Sequence, residues 1–285
     1  MTIGNLLVQG YKILKEAGIE SYQLDAQLLL GKVLNKDRIY VLTNREKEEG
    51  QQQAEDYFKL IDLRKNNMPV KYILGECEFL GRNFIVREGV LIPRPDTEVL
   101  VETAISYIRE KEYRKICDVC SGSGIIGLTI AAECVDTEVI CLDISPVAVS
   151  VTNENISALE LEQMAVVHSS NLLEYPLKEN IKFDAIISNP PYIKSEEIPN
   201  LMEDVKNYEP HLALSGGEDG LDFYREITKQ SNLVLNSGGM LAFEIGWDQD
   251  EAVRNILKEN KFINICSFKD LAEKDRVVLG FKNNI

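Results

Sequence analysis

From Lys115 to the end of the chain, strand-like and helix-like patterns alternate, and this restricts the fold more than any other feature. Residues 116–120, 138–143, 165–168, 183–188 and 240–245 are short apolar runs rich in Val and Ile. Residues 125–133, 146–159, 221–235 and 250–259 carry apolar side chains at helical spacing. Strands separated by helices can pair only in parallel, with right-handed crossovers that cover both sheet faces. Residues 262–268 and 277–281 read as two closing strands, giving a seven-stranded α/β sheet that is mostly parallel. There are no internal repeats, coiled coil or low-complexity tract.

The first part of the chain has a different period. Leu6, Leu7, Tyr11 and Leu14, then Leu24, Ala26, Leu28, Leu29 and Leu30, then Tyr57, Phe58, Leu60, Ile61 and Leu63 include pairs three and four residues apart, so residues 3–66 form a small helical domain. Asn66-Asn67-Met68-Pro69 stops the last helix. Residues 70–74 and 83–86 read as β-like pieces divided by Gly75 and Gly81, a hairpin or linker. The expected organisation is a helical domain at 1–70, a β-hairpin linker at 71–92 and the α/β domain at 93–285.

The 285 residues carry a net charge of -15, against a surface that binds nucleic acid by displacing counterions with Lys and Arg. The acidic residues are interspersed with Lys, so most simply solvate helices. No apolar run is long enough to span a bilayer and no secretion signal opens the chain, so a cytoplasmic protein without membrane contact is expected, and a monomer. Of the six cysteines, Cys117 and Cys120 have C-x-x-C spacing, but no second pair or nearby His completes a metal site, and buried free thiols are expected.

Two loops at strand ends carry the chemistry. Cys120-Ser121-Gly122-Ser123-Gly124 links the first strand of the α/β domain to a helix, where glycines allow close backbone approach and the helix start offers free N–H groups. It is not the G-x-G-x-x-G of dinucleotide binders. Asp143 ends the next strand, where a carboxylate can accept both hydroxyls of a ribose, while Ser145-Pro146 beside it is a good helix start. Asn171 and Leu172 follow the third strand, placed either to receive an adenine amine and pack on its ring or simply to make a polar turn.

The second loop is Asn189-Pro190-Pro191-Tyr192, after the apolar run 183–188. Asn189 Oδ1 and the Pro190 carbonyl can each accept one N–H of a planar amine or amide, Pro191 stiffens the turn, and Tyr192 offers an aromatic wall. Such a grip localises the nitrogen lone pair and stabilises the charge that develops when the nitrogen attacks a methyl group. The same four residues alone would read as a proline-rich turn.

Several further residues have two readings. Pro95-Asp96-Thr97-Glu98 is either a helix start or an active-site wall. Arg94 either guides a carbonyl or carboxylate or makes a surface ion pair. His168 and His211 lack a Ser or Cys partner and are structural. Glu244 and Trp247 end a late strand, beneath the site or at its rim.

The series Pro93-Arg94-Pro95-Asp96-Thr97-Glu98, Asp118 to Gly124, Asn189 to Tyr192, Glu209-Pro210 and Glu244-Ile245-Gly246-Trp247 resembles the bacterial protein-glutamine methyltransferases of the HemK or PrmC type, over nearly the whole chain. The resemblance implies a class I S-adenosylmethionine-dependent fold that is Rossmann-like, with a five-helix N-terminal domain. The substrate it implies is the glutamine of the Gly-Gly-Gln loop in class 1 peptide-chain release factors. Carried over by position, residues Cys120 to Gly124 face the methionine part of the cofactor, Asp143 the ribose, and Asn171 and Leu172 the adenine. Asn189, Pro190, Pro191 and Tyr192 face the glutamine amide, with Asn189 also touching the cofactor. Two positions depart from the pattern: Cys120 replaces a glycine, and Asn171 stands where Asp is common.

The same clamp suits an exocyclic amine of adenine in DNA or RNA, a reading the acidic charge opposes. The chain could also be a nicotinamide oxidoreductase, which the missing dinucleotide fingerprint disfavours, or a non-catalytic adaptor with a vestigial cofactor site.

Overall fold

The computed structural model describes residues 1–283, and the chain divides into two units. Met1–Cys77 and Met202–Tyr208 form the first, Glu78–Leu201 and Glu209–Ile285 the second.

In the first unit, α1 (Ile3–Glu16), α2 (Tyr22–Leu34), α3 (Arg38–Thr43), α4 (Gln51–Lys65) and α5 (Val70–Leu74) follow one another. Thr2 and Asp37 cap α1 and α3 by accepting the N–H of Asn5 and Tyr40. Leu6, Leu7, Leu14, Leu29, Leu30 and Ile61 are fully or almost fully buried, each contributing about 1.5–3 kcal/mol of apolar transfer. A buried pair, Arg64 Nε to Asp25 Oδ2 at 2.7 Å, ties α4 to α2, and the Tyr208 hydroxyl donates to the Asn66 carbonyl at 2.7 Å.

Residues 70–74 are helical, not the strand their apolar run suggests. Five residues are too few to show a period. Pro69 presets the entry to the turn, and Gly75, at φ +79°, closes it in the left-handed region. The hairpin comes next, from β1 (Glu76–Phe79) and β2 (Arg82–Ile85). Leu80 and Gly81 both have positive φ, as a two-residue hairpin turn requires.

The second unit continues with α6 (Thr97–Lys111), β3 (Lys115–Val119), α7 (Ile125–Glu133), β4 (Glu138–Asp143), α8 (Pro146–Ala158), β5 (Ala165–Ser169), α9 (Glu174–Glu179) and β6 (Phe183–Ser188). After α10 (Glu203–Tyr208), which belongs to the first unit, come α11 (His211–Leu214), α12 (Asp222–Val234), β7 (Leu235–Glu244), α13 (Asp250–Glu259), β8 (Phe262–Lys269) and β9 (Asp275–Lys282). The sheet order is β5-β4-β3-β6-β7-β9-β8. Pairing is parallel from β5 to β7, and β9 runs antiparallel to both β7 and β8.

Consecutive residues of the central strands are buried on opposite sides. Ile116, Ala185 and Ile187 join one core with α6 and α7, while Cys117, Val119 and Ile186 join another with α12 and α13. Both faces being covered explains the unbroken apolar runs. The chain leaves β3 toward β4 and β5 on one side and later returns to β6 on the other, so strand order switches between β3 and β6. A crevice opens at the carboxyl ends of strands at such a switch, and both chemistry-bearing loops lie there. Among the described residues no helix is long and apolar enough to cross a membrane.

Candidate active site

The loop after β3 is held through its backbone by bonds within the loop, from β4 and from α8. Gly124 N–H donates to Ser121 O at 2.8 Å, and Ser121 N–H to Leu142 O at 3.1 Å. From α8, the Thr152 hydroxyl donates to Gly122 O at 3.0 Å and Asn155 Nδ2 to Ser123 O at 2.9 Å. Asp118 Oδ2 accepts Gly127 N–H at 2.9 Å, and burial pushes that carboxyl up to about 7. A side chain at Gly124 would meet Thr152 Cγ2 at 2.8 Å, so this glycine is required by close packing of α8.

Asp143 Oδ2 accepts Gly122 N–H and Oδ1 accepts Ser145 N–H, both at 2.9 Å. The carboxylate thus fastens the glycine loop to the end of β4, and burial raises its pKa while these N–H groups oppose the rise. Ser145 caps α8 through the N–H of Ala148, with Pro146 behind it. Capping by Ser145 therefore coexists with a carboxylate at the end of β4 that borders the cleft. Asn171 is exposed and gives Nδ2 to Glu174 Oε1 at 2.7 Å, so its Oδ1 is the end left for a ligand. Leu172 is buried, with a left-handed φ of +51°.

These groups surround one apolar cleft. Gly89, Cys120, Gly122, Leu142, Asp143, Asn171, Leu172, Asn189, Pro191 and Phe223 are among its lining residues. A smaller recess beside it is lined by Pro93, Arg94, Thr97, Ser121, Ser123 and Ile126, and Cys120, Gly122 and Asn189 border both. An acidic acceptor at one wall, apolar side chains around a flat space and backbone at the glycine loop suit a nucleoside joined to an amino acid. Gly124, Pro190 and Tyr192 line neither space. Gly124 packs behind the loop, Pro190 is buried, and Tyr192 is half-buried against the second core.

Cys120 has a φ of +61°. A non-glycine residue is strained there by roughly 1–2 kcal/mol, while glycine costs about 0.5–1 kcal/mol in unfolded-chain entropy. Cys120→Gly is therefore expected to raise folding stability by about 0–1.5 kcal/mol. Because the side chain borders both spaces, the same variant should bind the cofactor more tightly by calorimetry. An unchanged dissociation constant would show that Cβ and Sγ do not crowd the ligand.

The turn after β6 is fixed independently. Ile193 N–H donates to Leu214 O at 3.0 Å and Gly216 N–H to Ile193 O at 2.8 Å. Gln249 Nε2 donates to Tyr192 O at 3.1 Å, while its Oε1 accepts Gly246 N–H at 2.9 Å. Asn189 Nδ2 donates to Thr97 Oγ1 at 3.3 Å. Among the described residues, no hydrogen bond of the chain goes to Asn189 Oδ1 or to the Pro190 carbonyl. Both oxygens therefore lack a protein partner among the described residues.

Residues with two readings separate here. Thr97 both starts α6 and lies on the recess wall, whereas Asp96 makes no cap bond and pairs with Arg276 at 2.8 Å. Arg94 borders the recess and pairs at 2.7 Å with Glu209, whose carboxylate is buried, so the pair is not a surface one. Trp247 is 63% exposed at the end of the sheet, while Glu244 is 1% exposed. His168 stacks on Tyr175 at 4.1 Å. All six cysteines are free thiols, four of them buried. Gln249, Gly216 and Phe223 carry no sequence signal of their own, since their part depends on contacts between distant loops.

The sheet order, the glycine loop and the acidic residue ending the second strand of the α/β unit define a class I S-adenosylmethionine-dependent methyltransferase. A T. thermophilus 16S rRNA methyltransferase solved with AdoMet and guanosine shares this fold, with a TM-score of 0.52 and 18% identity over 73% of this chain and 50% of that one. The PrmC N-terminal domain family matches residues 5–75 and the methyltransferase small domain family residues 95–218. A release factor glutamine methyltransferase of Clostridium botulinum is 55% identical over 99% of this chain and 100% of its own length. One from Clostridium acetobutylicum is 50% identical over the whole of both chains. The chain belongs to the release factor glutamine methyltransferase family.

Proposed function

We propose that this protein transfers a methyl group from S-adenosylmethionine to the side-chain amide nitrogen of the glutamine in the Gly-Gly-Gln loop of class 1 release factors. The observation that carries this reading is the pair of acceptors without a protein partner, Asn189 Oδ1 and Pro190 O, on a turn anchored beside the apolar cleft. S-adenosylmethionine, when bound, supplies an electrophilic methyl on a sulfonium centre. Asp143 would hold the ribose, Asn171 and Leu172 the adenine, and Cys120, Ser121, Gly122 and Ser123 would follow the amino-acid part, with Gly124 packed behind them.

A carboxamide nitrogen is a poor nucleophile because its lone pair is delocalised into the carbonyl. Accepting one N–H at Asn189 Oδ1 and the other at Pro190 O favours the localised form and stabilises the positive charge that builds on nitrogen during attack. No strong base is required first, because the surplus proton can leave after transfer. Pro191 keeps the Pro190 carbonyl from drifting, and Tyr192 braces the turn from the core side. The reading places the enzyme in the cytoplasm as a monomer that binds no nucleic acid.

Incubation with labelled cofactor, purified release factor and nucleic acid as a parallel acceptor tests this reading. A methyl group mapped by mass spectrometry to the loop glutamine is expected, and label confined to nucleic acid would reject it. The helical first unit is assigned to partner recognition, because a single loop glutamine offers little binding area and remote contacts can supply orientation. Removing residues 1–70 should lower kcat/KM on the intact factor far more than on a short loop peptide, and equal losses would refute that role.

A further inference from the structure

For the clamp to work, something must decide which end of the Asn189 amide points outward. The oxygen and nitrogen ends are close in size, so shape alone does not choose between them. With oxygen outward the side chain accepts a substrate N–H; turned over, it sets N–H against N–H. Thr97 Oγ1 takes Asn189 Nδ2 at 3.3 Å, yet a hydroxyl can both give and accept, and by itself stabilises either orientation. An acceptor-only group facing both side chains would break the tie.

Glu244 meets that requirement. It ends β7 beside Asn189, because Ser188 and Phe243 are register partners in adjacent parallel strands. It is 1% exposed, and among the described residues Oε2 has no hydrogen-bond partner. Thr97 and Asn189 are the neutral polar side chains that face its carboxyl.

We propose that Glu244 is a positioning residue for amide methylation: its carboxylate draws the Thr97 hydroxyl proton, leaving Oγ1 to hold Asn189 Nδ2 inward and Oδ1 outward. This rests on the clamp described above and adds what orients it. The other ionisable groups facing Glu244 are Asp96 just before α6, Tyr192 after β6, Tyr224 on α12 and Arg276 on β9. Arg276 is occupied by Asp96 and Asp270, each at 2.8 Å, so its charge is largely compensated.

Burial pushes the Glu244 carboxyl up to about 7, with Asp96 adding to the rise and Thr97, Arg276 and Asn189 opposing it. The sign follows from that direction. Once protonated, Glu244 is itself a donor, Thr97 is released, and both orientations of Asn189 become populated. Turnover therefore falls as pH drops through the titration of Glu244 and is level above it.

The test measures kcat against pH for methylation of intact release factor by the wild type, Glu244→Gln, Thr97→Val and the double variant. The side-chain amide resonances of Asn189 in the cofactor-free protein are followed over the same range. The wild type should show an acid limb between about pH 5.5 and 8. Glu244→Gln keeps the shape and one acceptor, so it should fold, lose the limb and abolish the pH shift of the Asn189 resonances. Thr97→Val should lower kcat by about 10- to 100-fold with cofactor affinity kept, and adding Glu244→Gln should cost little more. A limb unchanged in Glu244→Gln, or independent multiplicative losses in the double variant, would overturn the proposal. If Thr97→Val fails to fold, the pH profile and resonances of Glu244→Gln decide alone. Wild-type label on glutamine with an unaltered limb rejects only the role of Glu244, whereas no label on glutamine rejects the functional reading itself.

Discussion

Asn189→Ala is expected to keep S-adenosylmethionine affinity within a few-fold and to lower kcat by at least about a hundredfold, the scale of removing one preorganised polar stabiliser. The asymmetry follows from the site. The glycine loop and Asp143 form a hydrogen-bonded unit with Leu142, Thr152 and Asn155, and Asn189 is not a member of it. The cofactor wall therefore survives the truncation. One of the two open acceptors does not, and the Pro190 carbonyl alone leaves the substrate amide free to rotate about a single hydrogen bond. Single-turnover methyl transfer separates the two effects, with calorimetry for the cofactor. Unchanged turnover would remove Asn189 from the chemistry, and a matching loss of cofactor affinity would make it a wall residue only.

Gly216→Ala should reduce kcat by about 10- to 100-fold by displacing the turn rather than by removing a group from it. The Cβ of an alanine there would lie 2.7 Å from Tyr192 Cα, 2.8 Å from Pro191 O and 2.8 Å from Gly220 O. All three are backbone atoms, so no side chain can swing aside and the turn that carries Pro190 O must move. Overpacking of this kind typically costs about 1–3 kcal/mol of stability, which a thermal melt reads separately from turnover. Full activity with a lowered melting temperature would mean that the strain is absorbed in the loop around Gly220 and never reaches the clamp.

Much of this is legible in the sequence. The alternation of apolar runs and helical spacing determines the parallel sheet, because a strand buried on both faces must be apolar throughout and a helix must lie between parallel neighbours. The helix at 125–133 and the strands at 138–143 and 183–188 agree with their sequence limits residue for residue. Position along the chain also places Cys120, Asp143, Asn171 and Asn189 at successive strand ends, and the structure gathers them at one cleft. Residues 70–74 failed the same treatment, since a five-residue apolar run fits a strand and a helical turn equally well and only its caps and packing choose. The short helices α9, α10 and α11 span six residues or fewer, too few to show a helical period.

Chain order, apolar period and the residue types at strand ends were thus set by sequence alone, because these are local properties that a linear pattern records. Which atoms remain free was decided only by the folded state. That Asn189 turns its nitrogen to Thr97, that Glu244 is sealed beside it, and that Gly216 has no room for a methyl group all depend on segments far apart in the chain meeting within a few ångströms. Hydrogen bonding and close packing act on distance in space, and distance along the chain does not encode them.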